Sequence, residues 1–130
     1  MKFIGIDYGT KRVGIAISDD EGHFAFPHSV LENNNDLMGN IKAICGERGV
    51  EVIVIGESLD YKKRENPIME DIYKIKDCLV EETGLPVYLE PEFLTTQEAK
   101  RVQGKRPQTH ASAAALILQS YIDKRRDSKV

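Results

Sequence analysis

Gly5-Ile6-Asp7-Tyr8-Gly9-Thr10-Lys11-Arg12-Val13-Gly14-Ile15-Ala16 is the stretch whose reading decides the fold. Lys2 to Asp7 reads as a mostly apolar strand, ended by Tyr8-Gly9-Thr10-Lys11, where Gly9 is expected to supply the positive φ of a tight turn. Val13, Ile15 and Ile17 then alternate with Gly14, Ala16 and Ser18, a second strand with one small or polar face. The two strands form a hairpin with Asp7 at its tip. An acid that ends a central strand, followed by a glycine turn and a return strand, holds one carboxylate on a rigid platform near the end of a sheet.

Outward from the hairpin, Phe24 to Val30 reads as a third strand, and Pro27 places it at an edge or in an irregular segment. From Asp36 to Arg48 the period changes, and Leu37, Ile41, Ile44 and Cys45 make a helical stripe that Gly49 ends. Glu51-Val52-Ile53-Val54-Ile55-Gly56 is β-branched on both faces, the pattern of a strand covered by helices on both sides. Asn66 and Pro67 are expected as N-cap and first residue of a helix that buries Ile68, Ile72, Ile75 and Leu79 and stops near Gly84. Pro86 to Leu89 follows as a short strand. Thr95 and Glu98 have capping-box spacing for a helix ending at Gly104. Thr109 caps a last helix whose apolar face includes Ala113, Leu116, Ile117 and Tyr121. The order βββαβαβαα predicts an α/β fold with a mixed five-stranded sheet flanked by helices, as one domain over residues 1–130. Ligands of such sheets gather beyond the strand ends, and Asp7, Gly56-Glu57 and Glu92 all fall at or just after one.

The 130 residues fit one compact domain, with 41% hydrophobic content for a core and 30% charged residues for a surface. No apolar run approaches the roughly 20 residues a membrane span requires. An acid interrupts the first apolar stretch within a few positions, which is not a signal-peptide pattern. Cys45 and Cys78 lack metal-ligand spacing and are expected as buried or half-buried thiols of a reducing compartment. The expectation is a cytoplasmic protein with no membrane partner. The net charge of −3 hides an asymmetry: residues 95–130 carry +5 and the remainder −8. A phosphate-binding face beside an acidic site produces such a distribution, and so do solvated lysines and arginines on terminal helices.

The Asp-x-Gly-Thr pattern at Asp7 to Thr10 occurs in RNase H-like nucleases, where the Asp holds a divalent metal. It occurs also in the actin and sugar-kinase superfold, where the turn binds ATP phosphates. The second use needs two such domains closing over a nucleotide, and 130 residues leave no partner half. Over nearly its whole length the chain resembles the YqgF family of Holliday-junction-resolvase-like proteins and pre-16S rRNA nucleases. The resemblance rests on Gly5 to Gly14, on Ile53-Val54-Ile55-Gly56, on Glu92 with Leu94-Thr95-Thr96-Gln97-Glu98-Ala99, and on Ala113-Ala114 through Ile117-Leu118-Gln119-Ser120-Tyr121-Ile122. It implies an RNase H-like fold and Mg²⁺- or Mn²⁺-dependent hydrolysis of phosphodiesters in structured RNA or branched DNA.

By position, the resemblance makes Asp7 the first-strand acid and Glu92 the motif acid, and it puts His110 where the family has its last acid. The family's Asp and Arg around the motif acid are replaced by Pro91 and Phe93. Its Gly-Leu-Pro after the fourth strand reads Gly56-Glu57-Ser58. Phosphodiester hydrolysis needs a positioned water and neutralised phosphate charge, and clustered oxygen ligands around divalent ions supply both. Asp7, Glu92 and His110 are therefore the candidate catalytic residues and metal ligands, with Glu57 a further ligand where related resolvases place an acid. Imidazole suits Mn²⁺ better than Mg²⁺. Tyr8, Lys11, Arg12, Lys100, Lys105 and Arg106 are candidate nucleic-acid contacts, while His23 and His28 read as structural or solvent-facing. The alternative expectations are a degenerate nuclease that binds RNA or DNA without cutting, and a nucleotide-phosphate module built on the turn. A junction resolvase requires a homodimer with two sites, whereas cutting an RNA end requires only a monomer.

Overall fold

The computed structural model describes residues 1–59, 62, 64–91 and 110–127. Its elements in order are β1 (Phe3–Tyr8), β2 (Arg12–Ser18), β3 (Ala25–Glu32), α1 (Leu37–Arg48), β4 (Val52–Glu57), α2 (Met69–Thr83), β5 (Val87–Pro91) and α3 (His110–Asp127). The strands form one mixed sheet in the order β3-β2-β1-β4-β5. β2 runs antiparallel to both β1 and β3, and β4 and β5 continue from β1 in parallel. This is the expected α/β sheet; the helix expected between residues 95 and 104 lies outside the described residues.

Period-2 alternation sorts the apolar side chains into two layers. Ile4, Ile6, Ile53 and Ile55 face α1 and α2, where Leu37, Ile41, Ile72 and Leu79 meet them. Phe3, Val52 and Val54 face α3, against Ala114, Ile117, Leu118 and Ile122. Each fully buried Ile or Leu contributes roughly 1.5–3 kcal/mol over its exposed state, so β1 and β4, buried on both faces, anchor both layers. β3 closes one edge of the sheet. There the ladder slips between Ile15 and Ala16, whose partners are Ser29 and Pro27. Proline has no N–H for the ladder, so its place at an irregular edge follows the expectation.

Gly49 and Gly84 end α1 and α2 in the left-handed conformation, at φ 65° and 70°. Gly9 does not share it. Positive φ occurs at Gly22, Gly49 and Gly84, so the expected left-handed turn at Gly9 is corrected. The reason for glycine there is space: an added Cβ would sit 2.5 Å from the Arg12 carbonyl oxygen and 3.5 Å from Cε1 of His110. Gly14 is tighter still, because a Cβ would meet the His110 carbonyl oxygen at 1.9 Å and the Ala111 nitrogen at 2.8 Å. At Gly5 it would meet Leu118 Cβ at 2.7 Å. Gly5 and Gly14 let α3 lie with its backbone almost on β1 and β2, while Gly9 makes room within the turn itself.

Three local expectations change for related reasons. Asn66 does not cap α2 through its side chain; Nδ2 donates to Ser58 Oγ at 2.9 Å, and the Asn66 carbonyl accepts from Met69 N at 2.9 Å. A turn through Pro67 and Ile68 then leads into the helix. The apolar face of α3 is partly rotated from the one expected: Ile117 is buried as expected, but it is joined by Ala111, Ala114, Leu118 and Ile122, and Leu116 is 40% exposed. The glycine seats select the face that can approach closest, which the helical period alone does not reveal. Finally, Cys45 is buried but Cys78 is exposed on α2.

Gly14→Ala is expected to lower stability by about 1–3 kcal/mol through overpacking. Gly46→Ala, within α1 where a Cβ meets nothing within 4 Å, should raise it by about 0.5–1 kcal/mol; denaturant midpoints of the two variants check both signs. Burial pushes the Cys45 thiol up to about 11, so near pH 8 a thiol reagent should modify Cys78 rapidly in the native protein and Cys45 only on unfolding. Mass spectrometry of the modified chain distinguishes the two.

Candidate active site

Asp7 is the second-last residue of β1 and pairs across the hairpin with Gly14. Alternation turns its side chain to the α3 layer, as it does for Gly5. α3 begins its described course at His110, seated directly over Gly14. The two side chains therefore converge from opposite ends of the chain: His110 Nδ1 lies 3.4 Å from Asp7 Oδ2. The Asp7 carboxylate is 17% exposed and the His110 ring 45%, an acid set into the sheet beneath an imidazole open to solvent. A protonated ring makes this a charge-assisted contact, and the neutral Nδ1–H tautomer also donates to the carboxylate; the neutral Nε2–H tautomer instead sets two lone-pair donors toward one space.

The turn beside them is braced from outside the hairpin. Asn33, just past β3, donates through Nδ2 to the Gly9 carbonyl at 2.8 Å and through its backbone N–H to the Lys11 carbonyl at 2.9 Å. Asn33 was not among the candidate residues, and its place between a strand and the Asn-rich lead into α1 offered no signal beyond turn composition. Lys11 and Arg12 are exposed on this turn, whereas Tyr8 is half-buried and packs against the α1/α2 layer. Lys11 and Arg12 thus put two exposed cations on the turn that follows Asp7, and Tyr8 packs part of its ring against the core.

Glu57 ends β4, but its alternation places it with Ile53 and Ile55 on the α1/α2 side. Its charge acts on Tyr73 of α2, whose phenol is raised chiefly by a hydrogen bond to Glu65 and to a lesser degree by Glu57. Gly56, not Glu57, shares the Asp7 face. The structure therefore brings Asp7 and His110 together and sets Glu57 on the other side of the sheet. Glu92, Lys100, Lys105 and Arg106 lie outside the described residues. Among the described residues no group of three acidic, histidine or cysteine side chains is arranged to hold a metal. The donors that do converge, one carboxylate and one imidazole, fit a divalent cation of Mn²⁺ type better than Mg²⁺. His23 and His28 are exposed; the first stands 3.6 Å from Glu21, and the second contacts Ser29 and Arg48.

A second carboxylate on the α3 face went unnoticed in the sequence. Glu90 of β5 is 3% exposed. Its Oε2 accepts from Ser120 Oγ at 2.8 Å and from Lys124 Nζ at 2.7 Å. The signal was present: Tyr88 and Glu90 form one face of β5, and Ser120 and Lys124 stand one turn apart on α3. With both partners in place this acid ties α3 to the sheet edge and is not available as a ligand.

A family model described as RuvX, Holliday junction resolvase, matches residues 1–124. A protein of Nitratidesulfovibrio vulgaris named "Putative pre-16S rRNA nuclease" is 33% identical over 95% of this chain and 94% of its own. Proteins of the same name from Novosphingobium aromaticivorans and Geobacillus kaustophilus are 38% and 33% identical, over 92% and 97% of this chain and 83% and 100% of theirs. Among solved structures, Thermus thermophilus RuvC in complex with a Holliday junction substrate superposes with a TM-score of 0.63 at 19% identity, covering 97% of this chain and 96% of that one. The fowlpox virus Holliday junction resolvase does so at 0.57 and 12% identity, over 95% and 99%. These likenesses carry the fold, and the family match carries the kinship. The sheet order, the hairpin that bears Asp7 and the matched span agree: this chain has the RNase H-like fold and belongs to the RuvX family of resolvase-like nucleases, the YqgF family that its sequence resembles.

Proposed function

We propose that this chain is a metal-dependent phosphodiester hydrolase acting on structured nucleic acid, either a pre-16S rRNA end or a Holliday-junction-like DNA, in the cytoplasm. The observation that carries the reading is the Asp7–His110 convergence at the end of the central strand, 3.4 Å apart and open on the His110 side. Asp7 and His110 would hold a divalent ion, Mg²⁺ or Mn²⁺, with Glu92 completing the set. Such an ion supplies a water of lowered pKa and neutralises charge on the scissile phosphate.

The chain's own groups account for the rest. Asp7, held by the β1–β2 ladder and set into the sheet, fixes the position of the ligand set. Lys11 and Arg12, exposed on the turn, hold the phosphates on either side of the bond to be cut. Lys100, Lys105 and Arg106 extend that contact along the strand. His110, half open to solvent, serves either as that ligand or, with its ring nitrogen not engaged by the ion, as the group that carries a proton to the leaving oxygen. The unit acts as one RNase H-like domain over 1–130, as a monomer on an RNA end or a homodimer on a four-way junction.

A second reading has its own support. His110 in place of an acid, and Glu57 on the far face of the sheet, leave Asp7 as the carboxylate at this site among the described residues, fewer than two-metal chemistry uses, which favours a nucleic-acid-binding protein that no longer cuts.

Incubation of single-stranded RNA, an rRNA precursor end and a four-way DNA junction with Mg²⁺, Mn²⁺ or EDTA tests both. Cleavage greater with Mn²⁺ than with Mg²⁺, abolished by EDTA and by Asp7→Asn, is expected. His110→Asp should move the preference toward Mg²⁺, and Mn²⁺ affinity measured by calorimetry should fall in the same variant. Tight binding without cleavage under every metal would establish the second reading instead.

A further inference from the structure

Away from Asp7, the α3 face of the sheet ends in an aromatic pair. Tyr88 of β5 stacks on Tyr121 of α3, with ring centroids 5.8 Å apart and planes inclined by 19°. Phe3 meets Tyr121 edge-on at 5.9 Å, a second ring contact on Tyr121. Tyr88 is 46% exposed and lies on the outermost described strand of the sheet. A cleft of about 420 Å³ opens here, lined by Tyr88, Leu89, Glu90, Tyr121, Lys124 and Arg125. Arg125 also lines a second hollow of about 400 Å³ on the other side, with Arg126 and His23, and its guanidinium rests over the Phe3 ring at 5.7 Å. Lys124 is bound to Glu90, Arg125 rests over Phe3, and Arg126 adds further positive charge along the second hollow.

We propose that this cleft is a second nucleic-acid site, in which Tyr88 stacks an unpaired base of a single strand and Arg125 and Arg126 contact its adjacent phosphates. The chemistry matches what single strands offer: every base has a π-face, each stacked base contributes about 1–3 kcal/mol, and a cation beside the ring holds the backbone. Beside Leu89, two phenol rings and charged groups line the cleft, the pairing of ring and cation that a base and its phosphate meet. The eleven steps of α3 from His110 to Tyr121 rise about 16 Å, so the cleft stands about that far from Asp7. A stacked strand spaced about 3.4 Å per nucleotide covers the interval with about five nucleotides. The site therefore selects substrates that carry a single-stranded tail or loop some five nucleotides from the bond held at Asp7. The inference rests on the nucleic-acid reading above and assigns that substrate class a feature.

The chain has no tryptophan, so Tyr88→Trp introduces a single reporter. Short single-stranded oligonucleotides titrated into this variant should quench its fluorescence, while fluorescence anisotropy of a labelled strand follows binding to the whole protein. Tyr88→Ala is expected to weaken single-strand binding about 5- to 100-fold; Tyr88→Phe should retain it, and Arg126→Glu should lower the salt slope. Thermal melts of each variant exclude unfolding as the cause. Binding by anisotropy with no quenching, and with Tyr88→Ala as tight as the parent, would overturn this site and leave the function at Asp7 standing. No binding of any nucleic acid by the parent chain would overturn both.

Discussion

The arrangement depends on one close approach, that of the α3 backbone to the β1–β2 hairpin over Gly14. A single added methyl group there would lie 1.9 Å from the His110 carbonyl oxygen, far inside any van der Waals contact. Interiors are packed to crystal-like density and yield little to such an intrusion. The same seat that lets α3 bury Ala114 and Leu118 against the sheet also delivers His110 to Asp7. Packing and site geometry are thus one constraint. A helix shifted outward by a side chain at position 14 would lose apolar contact along its length and would lift the imidazole from the carboxylate.

Electrostatics divides the α3 face into two regions. At the hairpin end, an acid set into the sheet stands beside exposed Lys11 and Arg12. At the other end, Glu90 is closed off by Ser120 and Lys124, and its charge is satisfied internally. A carboxylate removed from water is tolerated only when paired and hydrogen-bonded, so two acids on one face have taken different roles according to what α3 places above them. Asp7 meets an imidazole open to solvent, and Glu90 meets an ammonium that seals it.

The difference between Asp7 and Glu57 is instructive because both end neighbouring parallel strands. Reading strand ends alone put them in one site. The side-chain alternation of a strand is strict, and one residue's difference in phase sends Glu57 toward α2. That phase is present in the sequence, since Ile53, Ile55 and Glu57 share one parity. Which parity faces α3 is not, because β4 is apolar on both faces. A similar ambiguity partly misplaced the stripe of α3: with apolar residues at 111 and at every position from 113 to 118, several faces satisfy a helical period, and only the glycine seats choose among them.

The sequence by itself determined the hairpin, the position of Asp7 at its end, the two-sided strand β4, the helix stops at Gly49 and Gly84, and the family. All of these are local patterns of period, turn chemistry and motif order, which neighbouring residues specify. Only the tertiary structure decided that Gly9 and Gly14 serve close packing, that His110 reaches Asp7 while Glu57 does not, and that Tyr88, Tyr121 and Arg125 meet at one cleft. Those outcomes rest on contacts between segments far apart in the chain. They are set by how closely two backbones can approach, a quantity that no single segment carries.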